Sequence, residues 1–244
     1  MYPILFSIGQ VNFYTHGLMI ALGALAGGLT IYFLAKRENL LTRFLIDILI
    51  YSLFLGIIGA RIVYLILYYY QFSNWHETFL IWYGGLVSFG GIATGFLAAG
   101  LILRKRGENV LRWFDLGIIG LLVGWSIGKI GCLLSGDIPG VLSFSKIAIW
   151  EQIPVSLFES IWALLLAAGL LYLLIWQKKW LLLYRDGFLF FIGIAGYLLG
   201  RFVIDFWRKE DIIILNLNLG QITSAISLIV ILIFIYLYIF RWRK

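Results

Sequence analysis

Charge, cysteine, histidine and proline are all scarce in this 244-residue chain. Asp, Glu, Lys and Arg make up only 13% of it, while apolar residues reach 62%, against about 25% and 45–50% in soluble domains. A water-soluble fold cannot hide that much apolar surface, so soluble globular classes are excluded. The single cysteine, Cys132, excludes an intrachain disulfide and says nothing about redox compartment. The two histidines, His16 and His76, stand far from it in sequence, so no metal ligand set and no cofactor are expected. Lys and Arg are missing from the first 16 residues, and Lys36 and Arg37 follow the first apolar run instead of preceding it. A cleaved signal peptide is therefore not expected, and that run is read as a retained helix. Repeats of 20–50 residues and low-complexity linkers are absent too.

What the chain does have is long apolar runs. Hydrocarbon of roughly 30 Å needs about 20 apolar residues per helix. Runs at about 17–35, 44–70, 85–103, 113–135, 156–176, 187–206 and 218–240 meet that length. They predict an all-α, polytopic integral membrane protein of about seven transmembrane helices, with residues 1–244 forming one transmembrane domain. Basic residues cluster in the one–two, three–four and five–six connections (Lys36, Arg37, Arg43; Arg104, Lys105, Arg106, Arg112; Lys178, Lys179, Arg185) and in the tail (Arg241, Arg243, Lys244). The other side holds only Lys146, Arg208 and Lys209. The positive-inside rule then puts the N-terminus outside and the C-terminus inside. The formal charge of +7 does not point to nucleic acid, because these clusters flank apolar runs, where anionic lipid head groups meet them.

Three cations remain at membrane depth: Arg61, Lys129 and Arg201. Burying a cation costs several kcal/mol unless it is paired, snorkels or faces a wet cavity, so each marks a functional site or a structural tie. Asp47, Glu159 and Asp205 also fall within the runs, as partners for those cations. Asp47, four residues after Arg43, is read as its local ion-pair partner. Asp115, near the start of the fourth run, is read as a helix-terminal acid favoured by the dipole. His76, beside Glu77, is read as solvated.

Glycine is plentiful at 27 residues and gathers in two clusters: Gly84, Gly85, Gly90, Gly91 and Gly95, then Gly124, Gly128, Gly131, Gly136 and Gly140. Such spacing lets helix backbones approach closely, or leaves amides free to meet a ligand's oxygens. The second cluster surrounds Lys129 and ends in Ser135, Asp137 and Pro139, which together describe a place for a phosphate.

At these residues the sequence resembles the prolipoprotein diacylglyceryl transferase family. Tyr14 to Met19 looks like the family's Trp-Tyr-Gly-Leu-Met opening, and Gly59 to Tyr64 like its Gly-Gly-Arg-Ile-Gly-Tyr segment. Gly84-Gly85 with Ser88 to Gly91 is similar to Gly-Gly-Met-Ser-Phe-His-Gly-Gly, and Gly128 to Asp137 resembles Gly-Arg-Leu-Gly-Asn-Phe-Ile-Asn-Gly-Glu. Pro154 to Glu159 resembles Pro-Thr-Gln-Leu-Tyr-Glu, Tyr197 to Arg208 resembles Tyr-Gly-x-x-Arg-Phe-x-x-Glu-x-x-Arg, and Gly220-Gln221 matches Met-Gly-Gln. The departures are specific: the family's histidine falls on Phe89, its early Tyr on His16, its signature Arg on Lys129 and its signature Asn on Cys132.

The resemblance implies a multi-pass protein of the bacterial cell membrane. It implies transfer of a diacylglyceryl group from phosphatidylglycerol to the lipobox cysteine of lipoprotein precursors, with membrane lipids as further partners. In that reaction the substrate thiol attacks the glyceryl carbon bearing the phosphate. The protein must help the thiol become thiolate and stabilise the departing phosphate. Lys129 and Arg201 are assigned to the phosphate, and His16 takes the proton-accepting role that Phe89 cannot fill. Substrate contacts are expected from Arg61, Tyr197, Cys132, Ser135, Asp137, Gly140, Glu159, Gly90 and Gly91. An alternative is a diverged paralogue that binds anionic lipid or peptide without transfer, which Phe89 favours. A small-solute transporter is disfavoured, since neither duplicated halves nor paired broken helices are seen.

Overall fold

The computed structural model describes residues 2–9, 11–69, 85–177, 185–210, 212–214 and 216–241. His76, Glu77, Gly84, Lys178, Lys179, Arg243 and Lys244 lie outside the described residues. Among those described, seven long helices follow the apolar runs: α1 (Thr15–Arg37), α2 (Leu45–Leu67), α3 (Ser88–Lys105), α4 (Val110–Ser135), α5 (Val155–Tyr172), α6 (Phe188–Ile204) and α7 (Leu219–Arg241). Six of the seven are long and apolar enough to cross a membrane; α3, with 18 residues closing on Arg104 and Lys105, is the exception. The chain is a multi-pass membrane protein.

Two small antiparallel hairpins accompany the helices, which an all-α reading does not contain: β1 (Ile4–Ile8) with β2 (Val11–Tyr14), and β3 (Ile212–Ile214) with β4 (Leu217–Asn218). Each turns near a residue in the left-handed region, Gly9 at φ 60° and Asn216 at φ 65°, as Gly and Asn permit. Phe6 and Phe13 stack across the first hairpin with ring centroids 4.5 Å apart.

The chain divides into two compact units, one of residues 1–34 with 115–244 and the other of residues 35–114. In the first, α1 and α4 meet backbone to backbone. A Cβ on Gly27 would come within 2.6 Å of the Gly120 carbonyl, and one on Gly124 within 2.6 Å of the Gly23 carbonyl. Further along, a Cβ on Gly131 would come within 2.6 Å of the Met19 side chain and 3.5 Å of the His16 Cα. Small residues are thus the condition for this contact. On the other side of α4, the Ser160 hydroxyl of α5 donates to the Ser126 carbonyl at 2.8 Å. Asp115, fully buried, accepts from the backbone N–H groups of Gly187 and Phe190, both at 2.8 Å. It therefore serves the positive end of α6, not the start of its own helix. Asn218 and Gln221 exchange side-chain and backbone hydrogen bonds at 2.8 and 3.0 Å, a capping box that starts α7. The Asn218 amide also donates to the Asp205 carbonyl at 3.0 Å.

In the second unit, α2 and α3 pack through Gly56, Gly59, Gly90, Gly91 and Thr94. Arg112 is paired with Glu38. Asp47 does not take Arg43 as its partner: its carboxylate lies 3.9 Å from Arg106, while the Arg43 and Arg106 guanidiniums flank the Phe44 ring at 4.5 and 4.2 Å. Phe44 draws Arg43 away, and the C-terminal end of α3 supplies the replacement.

Candidate functional site: a buried ion cluster beside a histidine, a cysteine and an aspartate

Within the first unit, α4, α5 and α6 bring the ionisable groups of their apolar runs into one place. Glu159, 2% exposed on α5, is paired with Lys129 of α4 and with Arg208 just beyond α6. The Arg201 guanidinium of α6 stands 3.9 Å from Glu159 and 3.5 Å from Asp205, and Arg208 Nε lies 2.9 Å from Asp205. Three cations thus face two buried carboxylates, and Glu210 brings the acids in contact with them to three. Glu210 meets Arg208 at 3.2 Å, but on the exposed side of it. Arg201 is the most open of the three cations and the most loosely held. Tyr197 and Arg201 stand four residues apart on α6 and share a helix face. Lys129 lies 5.2 Å from the centre of the Trp125 ring, and Tyr197 meets that ring edge-on at 5.7 Å. The buried Trp125 indole N–H finds no acceptor among the described residues.

Backbone geometry fixes Arg208. Gly140 and Arg208 form a bridge, reinforced by Val141 N–H to the Trp207 carbonyl and Lys209 N–H to the Pro139 carbonyl, both at 3.0 Å. A Cβ at Gly140 would strike the Ile153 carbonyl, so only glycine lets this connection lie flat. Gly220 leaves room in the same way for the Asp205 carboxylate.

One turn further along α4 the second group assembles. Lys129 and Cys132 are three residues apart and share a helix face. Cys132 Sγ lies 3.6 Å from His16 Nδ1, which is 2.9 Å from Asp137 Oδ2. The helix ends at Ser135, and Gly136 at φ 79° turns the chain so that Asp137 returns beside His16. The Ser135 hydroxyl donates to Asp137 Oδ2 at 2.6 Å. Cys132 is buried, whereas the His16 and Asp137 side chains are 37% and 48% exposed. The reading that His16 and Cys132 stand too far apart for a ligand set is therefore corrected: 116 residues separate them in sequence, and the glycine contact of α1 with α4 removes that distance.

An apolar groove of about 470 Å³ is lined by Ile147, Phe158, Ile161, Trp162, Leu165 and Trp207 among others. Phe158 precedes Glu159 in sequence and Trp207 precedes Arg208.

A family model described as prolipoprotein diacylglyceryl transferase matches residues 3–238. The chain belongs to that family. It is similar to the phosphatidylglycerol–prolipoprotein diacylglyceryl transferase of Clostridium kluyveri, 30% identical over 94% of this chain and 93% of that protein. The enzymes of the same name from Staphylococcus carnosus and Staphylococcus aureus are each 29% identical. The alignment covers 99% of this chain and 92% of the first, and 93% of this chain and 85% of the second.

In this family member, the structure brings Lys129, Arg201, Tyr197, Glu159, Gly140, Cys132, Ser135, Asp137 and His16 into adjoining parts of one unit. Arg61, Gly90 and Gly91 belong to the other. There the buried Arg61 donates to the Gly85 carbonyl at 3.0 Å and lies 5.4 Å from the centre of the Tyr64 ring. Gly90 and Gly91 are pressed against Val63, Ala60 and the carbonyls of Gly56 and Gly59. Sequence reasoning missed Arg208, which charge sorting assigns to an outer connection. The signal was present, since Arg208 closes the Tyr197–Arg208 block, but a count of loop charges cannot tell a solvated base from one folded back onto a buried acid. Trp125 was missed as well, because an indole inside an apolar run carries no sign of an unmet donor.

Proposed function

We propose that this protein transfers the diacylglyceryl group of phosphatidylglycerol to the lipobox cysteine thiol of prolipoproteins, in a bacterial cytoplasmic membrane. The carrying observation is the gathering of Lys129, Arg201 and Arg208 about Glu159 and Asp205, with Arg201 the most open and most loosely held, a helical turn from His16, Cys132 and Asp137. A cation at membrane depth that its carboxylates hold only loosely, as Arg201 is held, is available to an anionic guest. The Trp125 N–H, without a partner among the described residues, offers that guest one more donor, and an apolar groove lined in part by Phe158 and Trp207, the sequence neighbours of Glu159 and Arg208, suits an acyl chain. A phospholipid has both parts.

The geometry supports a direct displacement. One helical turn, about 5 Å, separates the phosphate locus near Lys129 from the thiol locus near Cys132. An attacking sulfur about 3–3.5 Å from the glyceryl carbon places the phosphorus one ester oxygen beyond that carbon, at a comparable span. Arg201, with Lys129 and Arg208 around it, receives the charge that develops on the departing phosphate. Tyr197 orients Arg201, and Glu159 holds Lys129 and Arg208 in place. Gly140 acts through Arg208, and Ser135 acts through Asp137. His16 is where the thiol gives up its proton, the step Phe89 is chemically unable to serve. Arg61, Gly90 and Gly91 act within their own unit as a tie and as packing.

Seven spans with the N-terminus outside put the start of α1, the end of α4, the start of α5 and the end of α6 on the outer side. Those are the ends that carry the site.

The test incubates purified protein with labelled phosphatidylglycerol and a lipobox peptide, with a Cys→Ser peptide as control. Thiol-dependent label transfer is the expected result. Saturable lipid binding without transfer would show a binding paralogue instead, and refute the proposal.

A further inference from the structure

A single imidazole nitrogen, His16 Nδ1, faces two groups at once: Asp137 Oδ2 at 2.9 Å and Cys132 Sγ at 3.6 Å. If Nδ1 carries the hydrogen and gives it to the carboxylate, it has no lone pair left for the thiol. If it keeps the lone pair, the carboxylate faces that lone pair instead. A cation between the three would engage all of them at once, since the nitrogen, the sulfur and a carboxylate oxygen all lie within 4.8 Å of one another. Zinc sits about 2.0–2.1 Å from nitrogen, 2.3 Å from thiolate and 2.0–2.2 Å from carboxylate oxygen in a tetrahedron, which spaces neighbouring ligand atoms by about 3.3–3.8 Å. The nitrogen–sulfur distance already has that spacing, and the nitrogen–oxygen distance reaches it by a small rotation of Asp137.

We propose that His16, Cys132 and Asp137 bind a zinc-class divalent cation whose open fourth position takes the thiolate of the protein substrate. This rests on the transfer reaction proposed above and revises the part of His16 in it: the ring holds the ion, and the ion, in place of the ring, ionises the thiol. Three protein ligands with one position open is the pattern of catalytic zinc, and a coordinated thiol is deprotonated outright. The donor set fits a borderline-soft ion, one sulfur, one nitrogen and one oxygen. The open side is the exposed side, because Cys132 is buried while His16 and Asp137 reach the surface. Ser135 fixes Asp137 from behind at 2.6 Å, as outer partners of ligating carboxylates do. On its other flank Cys132 borders a cavity of about 20 Å³, whose lining includes Ser156 with a buried hydroxyl that has no partner among the described residues. That space holds one water-sized group. The Cys132 and Asp137 charges neutralise a divalent ion, so the site adds no positive charge next to Lys129.

The step balances without a redox partner. The substrate thiol loses its proton to water on binding the ion, and a sulfur lone pair attacks the glyceryl carbon. The carbon–oxygen bond breaks with its electron pair going to the phosphate oxygen, and glycerol phosphate departs as a dianion. The product thioether is neutral and a poor ligand, so it leaves the ion.

The experiment uses the full-length protein in detergent, stripped with a chelator and titrated with Co²⁺ alone. About one cobalt per chain with a thiolate-to-cobalt absorption band is expected, absent in Cys132→Ser and His16→Phe and at least tenfold weaker in affinity in Asp137→Asn. Transfer by stripped protein should rise at least tenfold when Zn²⁺ is restored. Full transfer by stripped protein, or no cobalt band in the wild type, would overturn the proposal. Two Cys132-independent and His16-independent controls keep the readings apart: Arg201→Gln and Tyr197→Phe retain all three ligands and should keep the band while transfer falls. Normal transfer in both would refute the phosphate assignment alone, and the cobalt band would still decide the metal.

Discussion

Replacing Arg201 by Gln removes one guanidinium charge, keeps a polar side chain and leaves Lys129, Glu159, Asp205 and Arg208 in place. Arg201 is the loosest member of the cluster, 3.9 Å from Glu159 and 3.5 Å from Asp205, so the fold loses little when it goes. The phosphate loses more. At about 4 Å and an effective dielectric near 20, a full unit charge is worth about 4 kcal/mol. Only charge gained on the way to the transition state counts toward rate. With about half a unit developed on the leaving phosphate, the loss is about 2 kcal/mol, or roughly thirtyfold in turnover. The assay is thioether lipopeptide formed per minute from labelled phosphatidylglycerol at saturating lipid and peptide. Arg201→Lys should recover part of the loss, since it restores the charge without the planar fork. Turnover of Arg201→Gln within twofold of wild type would refute the reasoning.

Three further outcomes follow from the packing. Lys129→Met leaves the buried Glu159 with Arg208 as its one tight partner and should cost about 3 kcal/mol of stability, read by denaturation in detergent; adding Glu159→Gln should recover most of it. Gly124→Leu drives a side chain into the Gly23 carbonyl and should cost about 1–3 kcal/mol; it should also lower transfer, because α1 carries His16. Asp115→Ala strips two backbone N–H groups of α6 of their acceptor and should cost about 3 kcal/mol, with Asp115→Asn intermediate in the same melt.

The helices were legible because apolar length is a one-dimensional property, and α1 to α7 fall within a few residues of the runs that predict them. The hairpins were not, since runs of two to five strand residues beside a membrane helix carry too little pattern to stand out. Lys129, Arg201, Glu159 and Asp205 could be singled out from the expense of burying charge, and the structure pairs them with one another. Which acid meets which base was beyond reach: Asp47 passes over Arg43 for Arg106, and Asp115 serves a helix more than 70 residues away. Both choices depend on how the helices are arranged in space, as does the meeting of His16 with Cys132. Glycine positions were the nearest thing to a packing signal. They showed where backbones would approach, but not which helix would be the neighbour.

Asp115 holds one end of α6, and the Glu159–Arg201–Asp205–Arg208 contacts hold the other, 17 residues or about 25 Å along the axis. A rod fastened by charge at both tips cannot move like a piston without exposing an unmatched ion in the bilayer. A lipid entering beside such a rod is accommodated sideways, by its neighbours, and not by sliding of α6 along its axis.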